Sequence, residues 1–267
     1  MDRSRVWPDF RAEHVLHEDD DLVVVHKPAG VPSQSAQPDR PDDLVLRVRS
    51  FLAAREGKEP SSIYLGVHQR LDRDTSGIVV FTKRPEANAG LAAQLEKRQL
   101  KKRYVAGVVG WPKGRRDATL DDDLAKGEGG RMVVVSRAAR SPRGRGGSTA
   151  TTKGRKGAGA ARAESRHGQR AITHVTSRAH QGERALLDLV LETGRTHQAR
   201  VQLAHAGAPI AGDVLYGGSA AARLMLHAAT VELEHPRTKR RLVVRDDLAR
   251  SELSAWLEHG DLGYAVY

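Results

Sequence analysis

The chain of 267 residues contains no cysteine. That excludes disulfide bonds and every thiolate metal site. The 12 histidines show no His-Glu-x-x-His or comparable ligand spacing, so no structural metal is expected. Also missing is any apolar run near the ~20 residues that cross a bilayer. The opening Met-Asp-Arg-Ser-Arg-Val-Trp-Pro has no apolar signal segment. The expectation is a cytoplasmic protein with no membrane partner. The length fits one large domain or two small ones, and no internal repeat is apparent.

Positive charge is abundant, with a formal net charge of +11. Its distribution says more than its total. Residues 137 to 170 hold ten Lys or Arg against the single acid Glu164, a net +9 that leaves +2 for the other 233 residues. The body is nearly neutral. The argument from charge for a nucleic-acid partner therefore rests on one segment, either an RNA-binding arm or a solvated basic insertion. Its strings Ser-Pro-Arg-Gly-Arg-Gly-Gly-Ser and Lys-Gly-Arg-Lys-Gly-Ala-Gly lack apolar periodicity and aromatic residues, so about 137–168 reads as disordered.

The rest of the chain alternates short apolar strands with helical patterns. Val15 to Lys27 reads as two strands around an acidic turn, closed by Lys27-Pro28-Ala29-Gly30. Residues 42–57 read as a helix, with Asp42 or Asp43 as cap, Leu44, Val45, Val48, Phe51 and Leu52 at helical spacing, and Gly57 as stop. A second helix is expected over 85–98 and a strand over 100–109. From Ala185 a strand runs towards Arg195, and Thr193 or Thr196 can cap a helix that follows to Ala206. Arg195 at a helix N-terminus makes a suitable anion site. Leu224 to Glu234 alternates as a strand, and Asp246 to His259 fits a terminal helix.

Residues 66–83 concentrate charge, a turn and a strand. Asp72 lies between Arg70 and Arg73 and is followed by the turn formers Asp74, Thr75, Ser76 and Gly77, then by the apolar run Ile78 to Phe81. A scaffold can aim a reactive side chain from such a loop. Taken alone, an Asp here more often ties the turn through its own hydrogen bonds.

The string Arg-Leu-Asp-Arg-Asp-Thr-Ser-Gly resembles the active-site signature of the RluA-type pseudouridine synthases. One departure is that Gln69 precedes Arg70, with His68 one place earlier than usual. Lys-Lys-Arg-Tyr-Val-Ala at 101–106 resembles the family segment that carries an active-site tyrosine. Thr-Gly-Arg-Thr-His-Gln-Ala-Arg at 193–200, followed by Gly-Ala-Pro-Ile-Ala-Gly-Asp-Val-Leu-Tyr-Gly at 207–217, resembles its other long signature. The departure there is Ala199, where a larger aliphatic is usual. Four pieces in the family's order weigh far more than any one of them.

The resemblance implies an α/β fold of α+β type, a single mixed, mostly antiparallel sheet flanked by helices. It implies one catalytic domain over 1–267 interrupted by the basic insertion, with no RNA-binding domain recognised before it. The implied activity is isomerisation of specific uridines in structured RNA, ribosomal RNA favoured and transfer RNA the alternative, by a monomer without cofactor or metal. Asp72 is then the catalytic aspartate, Arg195 the cation paired with it and Tyr104 the base for the C5 proton. Arg70, Thr196, His197 and Arg200 are the implied substrate-binding residues. Arg70 is placed to fill the space that an extruded base vacates.

Two rivals come from other classes. A non-catalytic RNA-binding protein of the same fold would not need Asp72, Tyr104 and Arg195 intact. A hydrolase could use Asp72 and Asp74 as a carboxylate pair, but two residues apart on one turn they are poorly placed to flank a bond.

Overall fold

The computed structural model describes residues 10–35, 42–135, 168–247 and 250–260. Apart from its last few positions, the basic segment lies outside the described residues. Eleven strands share one sheet. In chain order they are β1 (Val15–Glu18), β2 (Leu22–Lys27), β3 (Gly66–Val67), β4 (Ser76–Thr82), β5 (Lys101–Val109), β6 (Asp117–Lys126), β7 (Met132–Val135), β8 (Gln169–Gln181), β9 (Arg184–Leu191), β10 (Leu226–Glu234) and β11 (Arg241–Arg245). Among the described residues four α-helices accompany them: α1 (Leu44–Glu56), α2 (Asn88–Glu96), α3 (Gln198–His205) and α4 (Arg250–His259).

The main path across the sheet runs β1-β2-β4-β10-β5-β9-β8-β6-β7, with β11 paired to β10 and β3 to β4. β4 and β10 pair in parallel, and the other pairs are antiparallel. The sheet is therefore mixed and mostly antiparallel, as the resemblance implies.

β2 is apolar without alternation because both its faces are covered. Val23 and Val25 join Val79, Phe81 and the α1 residues Leu44, Val45, Val48 and Leu52 in one cluster. Leu22 and Val24 join Ile78, Val80 and Leu91 of α2 in another. Burying a leucine such as Leu44 or Leu52 contributes roughly 1.5–3 kcal/mol. The limits of α1 are set locally: the Asp43 side chain accepts from Leu46 N, and Gly57 closes the helix in the left-handed region at φ 63°. α4 covers the sheet with Leu253, Trp256 and Leu257, and Trp256 lies against Gly107, where a Cβ would come within 2.7 Å of the indole.

Register across the sheet centre builds the floor of the site. Lys27 pairs with Gly77, Gly77 with Ala228, Ala228 with Tyr104, and Tyr104 with Leu189, in one row across five strands. Directly paired residues put their side chains on one face. The two residues between Lys27 and Tyr104 in this row, Gly77 and Ala228, are small, and their strands approach closely. Gly77, at φ 118°, is required there because a Cβ would strike the backbone of Ala228.

Candidate active site

The loop carrying Asp72 enters β4 directly above that row. Its backbone is held from beneath by Lys27, which is fully buried and donates to the carbonyls of Pro28, Val31 and Arg73 at 2.7–2.8 Å. Arg73 O also accepts from Gly30 N at 2.9 Å. Ser33 adds a reciprocal clasp, donating from Oγ to Leu71 O at 2.8 Å and accepting from Leu71 N at 2.9 Å. Burial lowers the Lys27 ammonium to about 7, while the Asp74 and Asp72 carboxylates pull it back up. Lys27 is thus an anchor of the loop. Buried as it is, it cannot reach a phosphate.

Facing Asp72 is the start of α3. The helix does not begin on a threonine cap, as the sequence led us to expect. Its N-cap is His197, held in the left-handed region at φ 53°, ψ 20° with no side-chain cap bond. Such a conformation costs a non-glycine residue on the order of 1–3 kcal/mol. Thr193 instead accepts from Ile172 N and donates to Gln198 Oε1, and Gln198 in turn donates to Ile172 O and Thr173 Oγ1. These bonds pin the helix start to β8 and fix its phase.

The phase decides which arginine reaches the carboxylate. Arg200 Nη1 lies 3.4 Å from Asp72 Oδ2, while Arg200 Nε and Nη2 fork onto the two oxygens of Asp213 at 2.8 Å. The expected pairing of Asp72 with Arg195 is corrected here: Arg195 donates from Nε to Arg170 O at 3.3 Å and makes no ion pair with Asp72 among the described residues. The difference has a physical cause. Arg195 precedes the helix on an irregular turn, whereas Arg200 is the third residue of the helix, in its first turn and buried.

His197 completes this side. Its Nε2 lies 3.8 Å from Asp72 Oδ2, and its Nδ1 meets the Tyr216 hydroxyl at 2.9 Å. That hydroxyl also accepts from Met132 N at 2.8 Å. Burial pulls the His197 imidazole below its usual range against the Asp72 carboxylate, which works the other way. The Arg200 guanidinium packs over the Tyr216 ring, 5.3 Å from its centroid.

Tyr104 approaches from β5. It is buried, its hydroxyl makes no hydrogen bond among the described residues, and burial first, then the Asp72 carboxylate, push its phenol up and keep it protonated. Arg70 is exposed on the loop and Thr196 is exposed ahead of α3, both without a protein partner among the described residues. The structure therefore brings Asp72, Tyr104, His197 and Arg200 together. It leaves Arg70 on the rim and Arg195 outside the cluster. His68 is tied elsewhere, with Nε2 at 3.0 Å from Asn88 Oδ1 and 3.3 Å from Thr82 Oγ1, which braces β3 against β4.

Asp72 on its turn thus has Arg200, His197 and Tyr104 around it, and comparison with known proteins says which family the chain belongs to. Residues 21–205 match the RNA pseudouridylate synthase family. The chain belongs to that family. The uncharacterized RNA pseudouridine synthase YhcT of Bacillus subtilis is 33% identical over 244 residues, 90% of this chain and 70% of that one. The tRNA pseudouridine synthase C of Salmonella typhimurium is 31% identical, covering 92% and 89%. The ribosomal large subunit pseudouridine synthase D of Xanthomonas campestris is 32% identical over 84% of this chain, which spans only 62% of that protein's length. Among solved structures, human RNA pseudouridylate synthase domain containing 4 superposes with a TM-score of 0.64 at 22% identity, over 91% of this chain and 92% of that one, a likeness of fold.

For a pseudouridylate synthase, two further residues matter that sequence reasoning quoted without assigning a role. Asp213 and Tyr216 belong to the Gly-Asp-x-x-Tyr-Gly string, beyond the matched portion of the family. The signal was the string itself. What was missing was the contact between a loop and a helix that turns it into support for Arg200.

Proposed function

We propose that this protein isomerises uridine to pseudouridine in structured RNA, with Asp72 as the reacting carboxylate. The observation that carries the reading is the placement of Asp72. It stands on a braced loop, is partly open to solvent, and has the Arg200 cation and the Tyr104 phenol close by. The isomerisation breaks the N1–C1′ bond, turns the uracil in place and joins C5 to C1′. It needs no redox change and no transferred group.

An ionised Asp72 serves by attacking C1′ or by taking a ribose proton. Arg200 and His197 hold it from one side. Tyr104 is the group proposed to take the C5 proton last: burial and the Asp72 charge keep its phenol protonated, so the hydroxyl passes its own proton on, to the regenerated Asp72 carboxylate or to solvent, as it accepts the one from C5. Arg70, exposed and unpaired, is available to occupy the space left by the extruded nucleotide, whose unstacking costs on the order of a few kcal/mol. Thr196 at the rim is available to the flanking backbone.

Ribosomal RNA is the favoured substrate because several of the relatives are named for the large subunit, and transfer RNA is the alternative from the Salmonella relative. Incubation with unmodified transcripts of both, followed by mass spectrometry and carbodiimide labelling, tests the proposal. Isomerisation leaves the mass unchanged and makes the base reactive to carbodiimide. Release of free uracil would identify a hydrolase, and binding without either product would leave a non-catalytic RNA-binding protein.

A further inference from the structure

Asp213 is buried behind Arg200, closed to solvent. Its oxygens accept from Arg200 Nε and Nη2 at 2.8 Å and from the backbone N–H groups of Leu215 and Tyr216 at 3.2 Å. Those bonds make it both the cap of its own turn and one jaw on Arg200. A guanidinium can fork onto a carboxylate through its Nε–Nη2 edge or through its Nη1–Nη2 edge. Here the Nε–Nη2 edge goes to Asp213, and the other edge makes no fork with Asp72. Only Nη1 faces Asp72, at 3.4 Å, well beyond the ~2.7–2.9 Å of a strong charge-assisted bond. Asp72 feels a cation without being clasped by it.

We propose that Asp213 is a positioning residue that apportions Arg200 between two carboxylates, holding the guanidinium back so that an oxygen of Asp72 stays free for the ribose. The proposal rests on the reading of Asp72 as the reacting carboxylate. Without the Asp213 charge, Arg200 would turn its fork onto Asp72 and occupy the oxygens that react.

The charged and titratable groups around Asp72 are Arg70, Arg73 and Asp74 on its own loop, Lys27 on β2, and Tyr104 on β5. His197 and Arg200 face it from α3, and Asp213 and Tyr216 lie behind them. Removing one negative charge from this set leaves the site more positive. Loss of the Asp72 proton then becomes easier, so the acid limb of the pH–rate profile moves to lower pH.

The test uses tritium release from unmodified ribosomal and transfer RNA transcripts carrying [5-³H]uridine. Asp213→Asn, which puts an amide N–H against the fork, is expected to lower kcat by roughly tenfold or more. RNA affinity should stay within about threefold and the acid limb should shift to lower pH. Asp213→Ser removes the charge but keeps a turn-capping oxygen, and it should behave alike, which keeps the test open if the asparagine variant fails to fold. Asp213→Glu, which retains the charge, should keep the limb where wild type has it. A merely structural Asp213 would lower melting temperature and leave the limb in place for all three. That result, or a glutamate variant shifted like the neutral ones, would overturn the proposal. Asp72→Asn is assayed alongside: if it still turns over, the underlying reading fails, whereas a silent Asp72→Asn with unshifted Asp213 variants sinks only this inference.

Discussion

Arg200 reaches Asp72 across 128 positions of sequence, Nη1 to Oδ2 at 3.4 Å, while Arg195 in the same eight-residue signature does not. Two arginines that look interchangeable in the sequence thus have different physical standing. One is locked between carboxylates in a buried pocket, and the other bonds a backbone carbonyl at the surface. Arg200→Ala should therefore lower turnover by roughly 10²-fold or more. By stranding the buried Asp213 it should also cost about 3–5 kcal/mol of stability. Arg195→Ala should change turnover by less than about fivefold, as a solvent-exposed contact would. Tritium release and urea melts on both variants check this, and a ranking in the opposite order would restore the pairing with Arg195 that the sequence suggested.

Lys27 makes a prediction about pH. Its ammonium falls from 10.5 in the unfolded chain to about 7 in the fold. Between those values the unfolded chain binds a proton that the folded chain does not. This residue therefore makes stability rise as pH increases from about 7 towards 10.5, and it opposes folding below 7. Lys27→Met should remove that slope, seen in urea melts at several pH values. It should also slow turnover, since three loop carbonyls lose their donor. A variant with an unchanged slope and unchanged turnover would show that the loop does not depend on this anchor.

His197 separates strain from function. Its left-handed backbone favours glycine, so His197→Gly should be no less stable than wild type and can gain up to ~1 kcal/mol. Turnover should nonetheless fall by roughly tenfold or more, because the imidazole beside Asp72 and Tyr216 is lost. Thermal melting and tritium release together decide it. A glycine variant that is both less stable and fully active would contradict both halves.

Local physics explains which parts of the fold were legible from sequence. α1 could be read from residues 42–57 because its apolar spacing, its Asp43 cap and its Gly57 stop are all local. β2 and β4 could be read from short β-branched runs. β6, β7 and much of β8 could not. β6 reads Asp-Ala-Thr-Leu-Asp-Asp-Asp-Leu-Ala-Lys, and its acids are accommodated by Arg170, Gln202 and Thr176 from other elements, which no window of sequence contains. In the site, Asp72 and Tyr104 could be named as candidates because each stands in a short string with its own signature. The choice of Arg200 over Arg195 was not legible, because it depends on the phase of α3, set by the unusual backbone of His197 and by Gln198 bonding to β8.

The most direct test of the central claim is tritium release by Asp72→Asn on the RNA that wild type modifies. The amide keeps the size and shape of the carboxylate, so the variant should fold, melt near the wild-type temperature and bind the RNA with similar affinity. It can neither attack C1′ nor accept a ribose proton, so no tritium should be released above background. Turnover within tenfold of wild type would contradict the account, since the reacting group would then have to be something other than Asp72.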